Sequence, residues 1–272
     1  MSFQPIVPFG GNAGWAFLNR TRATQEAAFA RAPTQQRETD YFAANIQDVK
    51  SADQLVNDRT LLKVALGAFG LEADIDNKFF LKKILEDGTL TSDALSNKLA
   101  DKRYRDFSKA FGFGDFSVPR TVLSTFADEI TSTYSRLQFE VAVGEQAEPL
   151  RLAMNLERQL GEIAASSTTN DGKWFTIMGT APLRSVFETA LGLPKSVGSI
   201  DIDKQIEIFK DRAERTFGTS DLAEFGTSDR IADVNRKFLA RSEISDVSQV
   251  SLPGSVALSL LQSSSFSYGR LF

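Results

Sequence analysis

Two Asp-Ile-Asp triplets, Asp74-Ile75-Asp76 and Asp201-Ile202-Asp203, come closest to a reactive pattern by type and spacing. Paired carboxylates in a short turn can hold a hard divalent ion against a nucleotide phosphate. Neither triplet is followed by the alternating Asp or Asn of a calcium loop, and neither adjoins a glycine-rich phosphate cradle. Acids in a first helical turn complement the helix dipole, so helix capping is the expectation for both. Glu207, Asp211 and Glu214 lie along one stretch with Lys210, Arg212 and Arg215 between them. Carboxylates serve as acid and base when their environments separate their pKa values. The interleaved cations predict a salt-laced surface instead. Lys98–Lys109 is the most basic stretch and interleaves Tyr104 and Phe107, as a single-strand-binding surface would. Asp101 and Asp106 break its charge, and Tyr104, Phe107 and Phe111 fit the core stripe of a helix. Gly112-Phe113-Gly114 is a fragment of a nucleotide-binding glycine pattern with no strand before it.

The chain of 272 residues contains no histidine and no cysteine. That removes the commonest general base, the commonest transition-metal ligand and the commonest reactive thiol together. A serine nucleophile would need a lysine base, and no Ser-X-X-Lys stands in a recognisable site. The expectation is a chain without catalytic, cofactor-binding or metal-binding residues, working through a protein partner and not as an enzyme.

The elements that would position any such group are helical. Leu123, Phe126, Ile130, Tyr134, Leu137 and Val141 step by three or four residues and lay one apolar stripe along a helix. Leu152, Leu156, Leu160 and Ile163 do the same after Pro149, with Gly144–Glu148 as the connection. Further stripes run through Ile202, Ile206, Phe209 and Ala213, and through Ile231, Val234 and Phe238. Thr-Ser-Asp at 91–93, 219–221 and 227–229 supplies helix-capping oxygens, and Gly70, Gly88, Gly112 and Gly192 sit where helices should stop. Sustained alternation of apolar and polar residues is nearly absent, so the fold class is all-α, a multi-helix bundle with little or no sheet.

Leu61-Leu-Lys-Val-Ala-Leu-Gly-Ala-Phe-Gly-Leu71 aligns without gaps on Leu183-Arg-Ser-Val-Phe-Glu-Thr-Ala-Leu-Gly-Leu193, and an Asp-Ile-Asp follows each. The match predicts a degenerate duplication of a helical unit, over about residues 40–115 and 147–242. The expected organisation is a flexible N-terminal segment over 1–13, a single helical body over 14–242 and a Ser-rich C-terminal tail over 243–272.

Acidic and basic residues nearly balance, 35 against 31, for a net charge of −4. No overall field draws the chain to nucleic acid or to an anionic membrane surface. No stretch approaches the roughly 18 consecutive apolar residues of a membrane span, and residues 1–11 lack the basic and apolar regions of a secretory signal. Membrane insertion is not expected. The expected location is the cytoplasm, with export by a signal-less flagellar-type route as the alternative.

Three stretches together resemble a bacterial family of unknown function: Phe80-Leu-Lys-Lys-Ile-Leu-Glu-Asp-Gly-Thr, Leu95-Ser-Asn-Lys-Leu-Ala-Asp-Lys-Arg-Tyr104 and Phe107-Ser-Lys-Ala-Phe-Gly-Phe113. Gly14-Trp-Ala-Phe-Leu-Asn-Arg-Thr21, Gln25, Arg37, Tyr41-Phe42 and Leu66-Gly-Ala-Phe-Gly-Leu71 carry the resemblance to the N-terminal side. Members of that family occur beside flagellar genes and are often described as flagellar proteins. The resemblance implies a helical, non-enzymatic protein connected with the bacterial flagellum, and it carries over no catalytic residue. The alternative expectation is a regulatory module that holds a small molecule between the two helical repeats.

Overall fold

A computed structural model describes residues 3–99 and 101–250. The described residues form thirteen α-helices joined by short turns, with no strand among them. In chain order these are α1 (Gly11–Ala30), α2 (Pro33–Asn45), α3 (Ala52–Asn57), α4 (Arg59–Gly67), α5 (Lys78–Asp87), α6 (Leu95–Lys98), α7 (Arg103–Phe111), α8 (Phe126–Gly144), α9 (Glu148–Ala165), α10 (Asn170–Gly179), α11 (Ala181–Leu191), α12 (Ile202–Phe217) and α13 (Ser228–Val250). The all-α class read from the sequence is the class observed. The chain divides into two compact units. Among the described residues, one comprises 3–8 with 16–151, and the other Phe9–Trp15 with 152–250.

In the first unit α2, α4 and α8 pack on one another, and α3, α5 and α7 extend the same core. Its centre is Phe42, Leu62, Val64, Leu66, Phe107 and Phe111, all fully buried. Local chemistry sets the helix starts. Pro33 opens α2, where a missing amide hydrogen costs nothing. Asp58 caps α4 by accepting from the amides of Thr60 and Leu61, both at 2.9 Å. The sequence stripe along α8 holds for Phe126, Ile130 and Tyr134, after which the buried face turns to Phe139 and Val143. Leu123 lies before the helix and Val141 faces outward, contrary to the single straight stripe.

Within the N-terminal segment over 1–13, Pro5 and Ile6 are hydrogen-bonded to the rest of the first unit. The Ile6 amide donates to Gln25 Oε1 at 2.6 Å, Gln25 Nε2 donates back to the Ile6 carbonyl at 3.2 Å, and Gln146 Nε2 donates to the Pro5 carbonyl at 2.6 Å.

In the second unit α11 packs on α10, α12 and α13. Trp174, Phe187 and Phe209 meet edge to face at its centre, with Trp174 and Phe187 centroids 5.5 Å apart. The indole nitrogen of Trp174 donates to the Ser220 carbonyl at 3.0 Å, so the buried ring keeps its polar edge satisfied. Buried Lys173 donates to the Ala164 carbonyl at 2.6 Å and closes the end of α9. Helix α13 runs to Val250, past the boundary expected at 242, and the tail from 251 lies outside the described residues.

The paired sequence segments end alike. After α4, the Leu71 amide donates to the Leu66 carbonyl at 2.9 Å, and after α11 the Leu193 amide donates to the Glu188 carbonyl at 2.8 Å. Gly70 and Gly192, at φ +67° and +66°, supply the left-handed residue that this closure needs. The Asp-Ile-Asp triplets diverge. Asp201 caps α12 as expected, accepting from the Asp203 amide at 3.0 Å. Asp74 and Asp76 cap nothing, because a tight turn over Glu72–Asp74 intervenes and α5 starts at Lys78 behind Asn77. The Thr-Ser-Asp expectation holds at Asp221 and at Thr227, which accept from Ala223 and Arg230 amides. It fails at 91–93, where Ala94 precedes α6 without a side-chain cap.

Candidate functional site

The sequence candidates resolve into local ties. Asp76 pairs with Arg59 at 2.9 Å, while Asp74 accepts from Tyr104 at 2.5 Å and from Asn77 Nδ2 at 2.8 Å. Burial and the neighbouring Asp74 carboxylate push the Tyr104 phenol up to about 12. On α12, Asp211 pairs with Arg215 at 2.8 Å, and Lys210 reaches Asp171 on α10 at 2.8 Å. In the basic stretch Arg103 pairs with Asp101 and donates to the Gly70 carbonyl, while Phe107 and Phe111 are buried. Gly112 ends α7 in the left-handed region. Gly114 lies so close to the Glu86 carbonyl and the Gly88 amide that a Cβ would collide with both. Gly112 thus serves the helix end and Gly114 the close approach of two chain segments.

Two further groupings were beyond reach of sequence spacing. The first lies inside the first unit, where α2, α4 and α8 meet. Tyr134 donates to Glu38 Oε2 at 2.5 Å, and Lys63 reaches Glu38 Oε1 at 2.5 Å. Gln138 donates to Glu72 Oε1 at 2.5 Å. Burial raises the Glu72 carboxyl above the ordinary glutamate value and the Glu38 charge adds to the rise, while the Gln138 bond and Lys63 oppose it. Tyr134 is pushed well above the usual phenol range, first by burial and then by its bond to Glu38. A carboxyl with a raised pKa near a second carboxyl is an arrangement acid-base catalysis uses. Here every oxygen named is taken up by a neighbour on another helix, so the group fastens three helices together. Gly67 makes room for it. A Cβ there would sit 2.5 Å from the Tyr134 ring and 2.8 Å from Glu72 Oε1.

The second grouping is on the surface of the same unit, where residues 115–123 cross from α7 to α8. Asp115 accepts from the Thr89 amide at 2.6 Å, the Thr89 hydroxyl at 2.8 Å and the Leu90 amide at 3.2 Å. Thr121 donates from its buried hydroxyl to the Val49 carbonyl at 2.7 Å. Between these anchors Phe116 and Val118 are 52% and 62% exposed, and Leu123 beyond them is 47% exposed. They line an open hollow of about 590 Å³ with Arg120. A neighbouring hollow of about 250 Å³ is lined by Lys109, Arg120, Phe126, Glu129 and Ile130, with Asp106 at its side. Three large apolar side chains left in water within eight residues are a feature of binding faces more than of ordinary surface. Periodicity gave no sign of Phe116 and Val118, and it placed Leu123 in the stripe of a helix that begins only at Phe126.

Residues 68–231 match the model of a family described as a protein of unknown function, DUF1217. The chain belongs to this family. The DUF1217 match includes the exposed 115–123 segment together with Glu72 and Tyr134, while Glu38 and Lys63 lie before it. The crystal structure of an Agrobacterium tumefaciens protein, from a structural genomics consortium, is similar to the chain with a TM-score of 0.71 at 22% identity. The likeness covers 89% of this chain and 99% of that one, and it concerns the fold. No curated protein matches the chain. Among the described residues no helix is long and apolar enough to cross a membrane, and no three acidic side chains are placed to hold a metal ion.

Proposed function

We propose that this DUF1217 protein is a non-enzymatic interaction protein of the bacterial flagellar apparatus, binding a protein partner through the face formed by residues 115–123. The observation that carries the reading is the exposure of Phe116, Val118 and Leu123 around one open hollow. Apolar side chains at the centre of a docking face contribute most of the binding energy when a partner covers them. The polar group at Tyr134 fits the same reading, since its carboxylates already bind neighbouring helices. The flagellar connection comes from the family resemblance, and with it we read the protein as cytoplasmic, with a signal-less flagellar-type export route as the alternative. The two matching helical segments are read as a degenerate duplication, supported by their identical closure at Gly70 and Gly192.

The test is genetic and then structural. Deletion of the gene is expected to impair swimming or filament assembly, and a copy carrying Phe116→Ser with Val118→Ser is expected not to restore it. A deletion strain that swims and assembles flagella normally would end this reading.

A further inference from the structure

Each unit ends a central helix at a left-handed glycine, and each brings a distant arginine onto that end. In the first unit Arg103, the first residue of α7, donates from Nη1 to the Gly70 carbonyl just beyond α4, while its Nε and Nη2 grip Asp101 at 3.0 and 2.6 Å. In the second unit Arg241 on α13 donates from Nη1 to the Ala190 carbonyl at 2.8 Å and to the Thr189 carbonyl at 3.4 Å, both in the last turn of α11. Arg103 lies 33 residues from Gly70 and Arg241 lies 51 from Ala190, so neither helix supplies this cap itself. The last carbonyls of a helix have no partner within it and carry the negative end of its dipole, so a cation placed there bonds and neutralises them together.

The glycine lets the cation approach. A Cβ at Gly192 would lie 2.5 Å from Arg241 Nη1 and 3.2 Å from its Cζ, whereas one at Gly70 would lie 3.4 Å from Arg103 Nη1, at the edge of ordinary contact. Gly192 is therefore required twice, by its φ of +66° and by the room the guanidinium takes, and Gly70 chiefly by its φ of +67°. An ion pair between two exposed side chains is worth little because both must be ordered to make it. Here the acceptors are carbonyls already fixed by a helix, so only the arginine is ordered, and in the first unit Asp101 orders it. We infer that the two units carry the same conformational device, a guanidinium clamp in which an arginine from a later helix locks a glycine-ended one. Arg103 fixes the start of α7 on the end of α4, and Arg241 fixes α13 on the end of α11. The clamp stands on these contacts alone and does not depend on residues 115–123 binding a partner.

Hydrogen exchange of the full chain, read peptide by peptide by mass spectrometry, tests it. Removing a hydrogen bond from a charged donor at a partly exposed site is expected to raise local opening by about tenfold. Arg103→Met is thus expected to speed exchange about tenfold over the end of α4 and the start of α7, leaving α11 and α13 as they are. Arg241→Met is expected to do the reverse. Arg103→Lys is expected not to restore protection, because one ammonium cannot hold Asp101 and the Gly70 carbonyl in a single fork. Circular dichroism reports whether each variant is folded; should a methionine variant not fold, Arg103→Gln and Arg241→Gln, which keep one donor group, are expected to give the same local pattern at smaller size. In urea unfolding, Gly192→Ala is expected to cost less in an Arg241→Ala background than in the wild type, since only the backbone strain is left. The cost of Gly70→Ala is expected to be the same with and without the Arg103 side chain. Exchange left unchanged at both helix ends, or raised evenly over the whole chain, overturns the inference. So do a lysine at 103 that protects as arginine does and a cost at Gly192 that takes no account of Arg241.

Discussion

Substituting alanine for glycine within a helix ordinarily stabilises a protein, by up to about 1 kcal/mol, because glycine gives up more backbone freedom on folding, and Gly67 is the last residue of α4. At Gly67 the sign is expected to reverse. The added Cβ would lie 2.5 Å from the Tyr134 ring and 2.8 Å from Glu72 Oε1, well inside contact distance. The ring is fully buried and its phenol is fixed on Glu38 at 2.5 Å, so it has little room to retreat. Overpacking of this kind costs about 1–3 kcal/mol. Moving the ring also weakens a hydrogen bond to a charged acceptor, worth about 1.5–3 kcal/mol. Set against the gain of about 1 kcal/mol in helix propensity, the net loss for Gly67→Ala is about 3 kcal/mol. Urea unfolding followed by circular dichroism measures it. The companion variant Tyr134→Leu removes the ring, and in that background Gly67→Ala is expected to be neutral or to stabilise by about 1 kcal/mol. A Gly67→Ala protein as stable as the wild type, or a loss that persists without the Tyr134 ring, would refute the close-approach argument.

Two other outcomes are expected. Glu72 has a raised pKa in the folded chain, so between its unfolded and folded values the native state holds the extra proton. Its contribution to stability is therefore lost as pH rises through that window and regained as pH falls. The stability of wild type relative to Glu72→Gln, followed by urea unfolding across acidic to neutral pH, should decline with rising pH; a flat difference would contradict the burial described for this carboxyl. Asp115→Ala removes the acceptor of three hydrogen bonds from Thr89 and Leu90. It should cost about 2 kcal/mol in thermal unfolding, since two amides and a hydroxyl lose their partner at a half-open site.

The helices were readable wherever spacing and a terminator coincided. Gly144–Glu148 separates α8 from α9 as the sequence implies, and Gly70 and Gly192 stop their helices in the left-handed region. The buried face of α8 was readable only to Tyr134, because beyond it the neighbours that cover the helix change and periodicity holds no record of neighbours. The first Asp-Ile-Asp misled for a related reason. A carboxylate before a helix can cap it or reach elsewhere, and Asp74 is taken by Tyr104, thirty residues away in sequence. The Glu38–Tyr134 contact joins residues 96 apart, a distance over which one sequence has no spacing rule. Two signs of it were nevertheless present: a glycine inside an apolar helix, and a tyrosine in an apolar stripe, whose hydroxyl needs an acceptor when buried. Phe116 and Val118 left no such sign, since apolar residues outside a periodic run look the same whether covered or bare, and Leu123 fell within a run although it is exposed.

Asp115 and Thr121 hold the ends of that segment on different parts of the first unit, one on Thr89 and Leu90 and the other on Val49. Phe116 and Val118 are thus presented by a strap whose course is settled before anything binds. A loose loop would surrender conformational freedom on docking, at about 0.5–1.5 kcal/mol for each side chain immobilised. Here most of that ordering is completed when the chain folds. Cutting either anchor should therefore weaken association at the proposed docking face while leaving Phe116, Val118 and Leu123 themselves unchanged.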